Sequence, residues 1–446
     1  MLLSETETKA LCDQLLALTR ADDATVSVSS DDFSHLRFAA NDFTSCGRTE
    51  NASASITVWF DKKKGSATAS SLDPVSLKMA VTQAEELAKL APVDKEYLPT
   101  LGAQTYRPAA GYVDTTCQLS LNDRAKAIND IIRTCEKQQV IGAGFHHASG
   151  SAGGFATKNG NFHYERDSLV SLSVTARPPD GASSGFFLRN HFDIAKLDTE
   201  RIGREAIQKA LNSRNPRSIE PGTYTVILEP QAAGDLIRLG FDARSADEGR
   251  SAYSAPGGKT KVGEQLFDER VNLYSDPWHP ELPGSSAAQD GIPAERIYFV
   301  RNGVLERLHY SRYWASQQAK EPTPGPVNSI LQSSDVPVTL EEMIQSTERG
   351  LLVSRFWYIR GVDPRTELMT GLTRDGIWYI ERGKIQYPVR NFRFNQSLLE
   401  LLAPGNVEML GASERISNSE SQGNGAALVP AIKIKRFHFT SASDAI

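Results

Sequence analysis

The chain has 446 residues, 40% of them hydrophobic and 23% charged, with a formal net charge of −5. That length exceeds one ordinary core and predicts two or three folded units of globular composition. The charge excludes the basic footprint of a polyanion binder, no segment approaches the roughly 18 uninterrupted apolar residues of a membrane helix, and Met1 to Glu7 lacks the basic-then-apolar pattern of a leader, so neither nucleic acid nor membrane is an expected partner and a cytoplasmic location is expected.

Ser4, with Glu7 three residues on and Leu11, Leu15, Leu16 and Leu18 behind, predicts a capped first helix. The period then changes to two. Thr25–Ser29, His35–Ala39 and Ser53–Phe60 read as successive strands, and Asp61-Lys62-Lys63-Lys64-Gly65 turns into Ser66–Ala69, completing a meander. Asp73-Pro74 supplies an N-cap and first-turn proline for a helix stopped by Pro92. A further helix is expected from Asn122 to about Gln138. Lys158-Asn159-Gly160-Asn161 is the strongest hairpin signal, because Asn-Gly takes the positive φ angles of a tight turn. Leu169–Ala176 continues in near-alternation, and Asp198 starts a helix closed by Asn215-Pro216. The four cysteines, Cys12, Cys46, Cys117 and Cys135, are spaced too widely for a zinc knuckle or a disulfide framework and read as packed thiols.

A boundary is expected at Arg214–Pro221. Beyond it the chain predicts mainly strands: Arg296–Val300, Leu351–Tyr358, Gly376–Glu381 and Ile385–Phe394, with turns at Asn302-Gly303 and Arg382-Gly383. Pro322–Pro326 reads as an extended loop and Ser413–Ala426 as a polar loop. Between the boundary and these strands, Thr223–Leu228 predicts a strand, and Pro230 opens a helix that Gln231 to Ala243 can continue.

This strand-to-helix junction resembles the start of the C-terminal domain in the TldD/PmbA family of peptidases. The resemblance extends over nearly the whole chain. It is carried by Val26-Ser27-Val28 and Leu36–Asn41, by Asn159-Gly160 with Leu169–Arg177, by Asp290-Gly291-Ile292-Pro293, by Thr347–Val353, by Gly371–Gly376, by Glu381–Ile385 and by Pro388–Asn391, in family order. It implies an α+β fold: an N-terminal α/β domain with an antiparallel meander over residues 1–214, and a mainly antiparallel, barrel- or sandwich-like domain over 222–446. It also implies work on peptides, in a dimer of one metal-bearing TldD-type chain and one PmbA-type (TldE) chain without metal.

Metal-bearing members carry H-E-x-x-x-H on that helix and a later cysteine as ligand. Here the equivalent run is Arg238-Leu239-Gly240-Phe241-Asp242-Ala243. No His or Glu occurs from Gln231 to Ser245, and no Cys follows Cys135. The resemblance therefore places this chain with the PmbA/TldE type, with no catalytic or metal-ligating residue of its own and zinc expected in a TldD-type partner; a homodimer that binds peptide without hydrolysing it is the alternative.

Arg238 and Asp242, four apart on the expected helix, either face solvent or grip a peptide or partner carboxylate. Tyr313 and Trp314, with Tyr310, Phe356, Trp357 and Tyr358, either line a groove for extended peptide or belong to the core. His146-His147 with His163 and Glu165 is a candidate substitute metal site against ordinary sheet packing. Cys46 near Asp42 and His35 is the one imaginable thiol nucleophile. No G-x-S-x-G elbow occurs, and Gly257-Gly258-Lys259-Thr260 lacks P-loop spacing.

Overall fold

No glycine or proline interrupts Asp23–Ala39, and the chain takes this stretch as one long strand rather than the two expected. The computed structural model describes residues 2–237, 240–420 and 425–443. Strand β1 (Asp23–Ala39) is followed by β2 (Asp42–Phe60) and β3 (Lys63–Ala69), then β4 (Ile141–Thr157), β5 (Phe162–Arg177) and β6 (Gly185–His191). They form a six-stranded antiparallel sheet in the order β3-β2-β1-β4-β5-β6. Both early hairpins turn on two residues of positive φ, Ala40-Asn41 and Asp61-Lys62, the geometry that matches strand twist. At the Asn159-Gly160 turn only Gly160 takes positive φ (91°).

Even-numbered residues of β1 (Val26, Val28, Leu36, Phe38) face four helices, as the two-residue period requires. The helices are α1 (Glu5–Leu18), α2 (Pro74–Leu90), α3 (Leu121–Lys137) and α4 (Thr199–Asn212). Their starts follow the cap signals: Ser4 and Glu7 form a capping box, Asp73 accepts from Val75 and Ser76 N–H, and Asp198 accepts from Arg201 N–H. Leu77, Val81 and Ala84 of α2 pack on Val26, Ile56 and Val58, while Ile128 and Ile132 of α3 and Ile202 of α4 pack on Leu172 and Val174.

The second half is built on β7 (Gly222–Leu228), β8 (Val271–Ser275), β9 (Ile297–Arg301), β10 (Ser329–Ser333), β11 (Arg349–Asp363), β12 (Leu368–Glu381), β13 (Lys384–Pro388), β14 (Phe392–Ser397), β15 (Val407–Ser417) and β16 (Ala426–Ala442). Strands β7, β11, β12, β14 and β16 close into a ring, because β16 pairs with both β14 and β7. Closure removes their free edges. Phe356, Phe394, Phe437 and Phe439 pack together within this half's core, with the Phe356 and Phe437 rings stacked 5.4 Å apart. Most pairs are antiparallel, but β7–β11 and β10–β16 are parallel.

Two expectations fail here for local reasons. Ile385–Phe394 is not one strand, since Pro388 cannot donate to the ladder and the segment splits into β13 and β14. Ser413–Ser417 is strand rather than loop, because β15 pairs with β16 through Ser417↔Ala426.

The two halves meet through buried charge. Lys209 of α4 lies 2.5 Å from Glu229 and donates to Ser354 Oγ at 2.6 Å. Arg355 lies 3.3 Å from Asp375, both 4% exposed, and Asp375 accepts from Ser184 Oγ at 2.6 Å. His163 and Ser286 add a contact of 2.7 Å.

Candidate functional site

The helix after β7 is short. Helix α5 spans Pro230–Leu236 and ends with Ile237 in extended conformation; Asp242 instead caps a second helix, α6 (Ala243–Asp247), its side chain accepting from Ser245 N–H at 2.8 Å. The single helix expected from Pro230 to Ala243 is thus not formed, since α5 ends at Leu236 and Asp242 stands at the start of α6. Arg238 itself lies outside the described residues, and Asp242 serves as a cap.

Helix α5 is held tightly. A side chain at Gly234 would come within 2.5 Å of Ile416 Cδ1. The carboxylate of the helix, Asp235, accepts from Gln231 Nε2 (2.9 Å), Ser419 Oγ (3.0 Å) and Phe356 N–H (3.0 Å). Desolvation pushes its carboxyl up to about 6, and the guanidinium of Arg355 pulls the other way. Beside it is a cavity of about 270 Å³ whose other carboxylate, Glu420, accepts from Ile359 N–H at 3.0 Å and approaches Arg360 at 3.4 Å.

A catalytic zinc site needs three protein donors converging on one point and an open position for water. Asp235 and Glu420 both have their oxygens engaged by N–H and O–H donors, and no group of three His, Cys, Asp or Glu side chains gathers among the described residues. These residues do not fit a divalent metal.

The histidine candidates are dispersed. His146 and His147 point to opposite faces of the sheet; His146 Nδ1 meets Ser171 O at 3.0 Å. Both are buried, and desolvation lowers each to about 4, which favours neutral imidazole. His163 and Glu165 do share a face, 3.5 Å apart, but Glu165 also accepts from Ser285 Oγ and Ser286 N–H at the domain seam. Cys46 is exposed and stands opposite Leu36, so it points to the other face from His35, which pairs with Gly47.

A groove of about 710 Å³ runs between the outer face of the first sheet and the second half. Thr25, Ser27, Thr57 and Trp59 form its floor, with Tyr97, Asp290 and Tyr313 among its walls. Tyr313 and Trp314 belong to α7 (Arg312–Gln317), capped by Ser311. Arg244 of α6 stacks on the Trp314 ring at 5.3 Å and pairs with Glu96 at 2.8 Å, so α6, α7 and the segment at Glu96 support one another. Trp314 itself packs on the core and donates Nε1–H to Asp247 at 2.7 Å. Of the other aromatics, Tyr310 and Phe356 are core residues, whereas Tyr358 is 58% exposed. Arg244, Glu96, Trp59 and Tyr97 were not singled out from the sequence. Residues 92–101 carry no periodicity, and their meeting with α7 is set by tertiary packing alone.

The family model of the PmbA/TldA metallopeptidase C-terminal domain matches residues 221–441. A Haemophilus influenzae protein named metalloprotease PmbA homolog is 22% identical over 96% of this chain and 94% of its own, and a Methanothermobacter thermautotrophicus metalloprotease is 24% identical over 64% and 68%. The crystal structure of TldE from Thermococcus kodakarensis superposes with a TM-score of 0.82 at 19% identity, covering 97% of this chain and 99% of that one. With the strand-to-helix junction, the closed second domain, the family-model match and the H. influenzae relative that spans nearly the whole chain, the chain belongs to the TldD/PmbA family.

Proposed function

We propose that this chain is a metal-free, PmbA/TldE-like member of a peptidase pair, which holds extended peptide while a separate TldD-type chain brings zinc and performs hydrolysis. The observation that carries this reading is the end of α5, where the carboxylates are already bonded to protein donors and Gln231 to Ser245 offers neither His nor Glu. The interdomain groove supports the peptide half of the reading. Its floor is a row of strand hydroxyls and its wall an aromatic ring, surfaces that accept a main chain and apolar side chains without demanding one sequence.

Pull-down of the tagged chain from its native extract, with zinc and peptidase activity assayed on the eluate, tests the pairing. Zinc and activity arriving with a second, H-E-x-x-x-H-bearing chain are expected. An inactive assembly of this chain alone supports the second reading, a homodimeric peptide-binding protein. Tyr313→Ala tests the groove in the purified chain by fluorescence titration with a peptide library: loss of an aromatic contact weakens binding about five- to tenfold. Unchanged affinity contradicts the groove assignment.

A further inference from the structure

Asp290 and Gly291 form the tip of a tight loop lining the groove, and both take left-handed backbone, with φ of 61° and 74°. Ala288 N–H donates to Ile292 O across the loop at 2.7 Å. Beneath it, Tyr106 Oη donates to Gly291 O at 2.6 Å and accepts from Nδ2 of the buried Asn161 at 2.8 Å. The Phe155 ring of β4 lies 2.9 Å from where a Cβ of Gly291 would sit. The loop is thus pinned to the first sheet, and Asp290 is left exposed at its tip.

Left-handed backbone favours glycine, asparagine or aspartate. Of these only aspartate brings a charge, and the chain does not use that charge internally: among the described residues no hydrogen bond or ion pair engages the Asp290 carboxylate. His309 senses it electrostatically, but burial holds that imidazole below its ordinary value and so neutral near pH 7. The cations of the groove are engaged elsewhere. Arg312 donates to Pro99 O at 2.8 Å, and Lys64 sits over the Trp59 ring at 5.8 Å. Of the other two carboxylates, Glu96 pairs with Arg244, and Asp94 accepts from Glu96 N–H at 2.9 Å. Asp290 is therefore a carboxylate without a counter-charge, lining a space wide enough for a ligand.

We propose that Asp290 anchors a cationic group of the bound peptide, an ammonium or guanidinium, so that the groove selects extended peptides carrying lysine, arginine or a free amino terminus. This rests on the peptide-holding reading of the groove. A carboxylate offers two oxygens to such a group, the geometry that a guanidinium matches, and Tyr97 and Tyr313 of the same groove carry ring faces of the kind that attract cations. The strand hydroxyls of the floor accept main chain of any sequence. Asp290 adds selection by charge.

The full chain is titrated by fluorescence anisotropy with four peptides of one apolar frame, labelled at the carboxyl end: one with a free amino terminus and a central lysine, one acetylated, one with glutamine for the lysine, and one with both changes. Asp290→Asn and Asp290→Gly are run alongside, with circular dichroism confirming their folds. Both residues suit the left-handed backbone, so a purely structural role is preserved. Wild type is expected to bind the doubly cationic peptide about three- to tenfold tighter than the neutral one. The variants are expected to bind all four as wild type binds the neutral one. Whichever change removes the preference, acetylation or glutamine, identifies the amino terminus or the side chain as the bound cation. Wild-type binding that ignores peptide charge, or a preference that survives in either variant, overturns the proposal and leaves the groove assignment standing. If no peptide binds wild type, the peptide-holding reading falls and this inference falls with it.

Discussion

Asp235 occupies the helix that, in metal-bearing relatives, the resemblance associates with zinc, and here its oxygens are bonded to groups of the protein itself. Three N–H and O–H donors converge on it, and desolvation raises its folded pKa from 3.8 to about 6. The sign follows from linkage. The folded protein binds this proton more tightly than the unfolded chain does, so the contribution to stability is fully present below about pH 4 and is lost as pH rises through about 6. Asp235→Asn removes that titration. Urea denaturation of both proteins from pH 4 to 8 should show the stability of wild type falling relative to the variant up to about pH 6.5 and flat above it; a difference independent of pH contradicts the assignment. The absence of a metal motif could be read from the sequence, since no His or Glu stands from Gln231 to Ser245. The break after Leu236 could not, because Arg238–Ala243 keeps enough helix-forming residues for tertiary packing to decide.

Among the elements, the helical layer is fixed by close backbone approach at two edge-strand glycines. A Cβ at Gly65 of β3 would lie 2.1 Å from Ala84 O of α2, and one at Gly185 of β6 would lie 2.2 Å from Ala206 O of α4. Backbone cannot give way as a side-chain tip can. Gly65→Ala and Gly185→Ala are each expected to cost about 1–3 kcal/mol, the range of overpacked cores, read as a lower urea midpoint with an unchanged slope. Stability within a few tenths of wild type at either site would show that the helix sits farther from the sheet than described. Helix starts were legible because caps are local: Ser4, Asp73 and Asp198 each act within three residues of themselves. Strand identities were legible from alternation, though not their lengths, since Thr25–Ser29 and His35–Ala39 proved to be one strand whose middle, Ser30 to Ser34, is too polar to signal it. Ring closure by β16 joins residues more than two hundred positions apart, such as Ile434 and Val226, and nothing local announces it.

At the scale of the whole molecule, the groove exists only because two domains dock, and the docking is charged. Lys209 and Glu229 come from opposite sides of the boundary and are nearly buried, so removing one leaves the other unpaired in a poor solvent for ions. Lys209→Met is expected to destabilise the protein by about 3–5 kcal/mol, with Lys209→Met/Glu229→Gln recovering part of the loss; equal losses in the single and double variants would mean that the pair is not coupled. Fold class and family likeness were legible in the order of short motifs along the chain, while the groove and the supporting Arg244–Glu96 contact needed the folded arrangement. The most direct measurement is the zinc content and peptide hydrolysis of the chain purified alone, beside the same assays on the assembly it captures. Substoichiometric zinc and no hydrolysis alone, with both appearing alongside an H-E-x-x-x-H chain, is the predicted result; one tightly held zinc per chain with hydrolysis by the isolated protein would contradict the account.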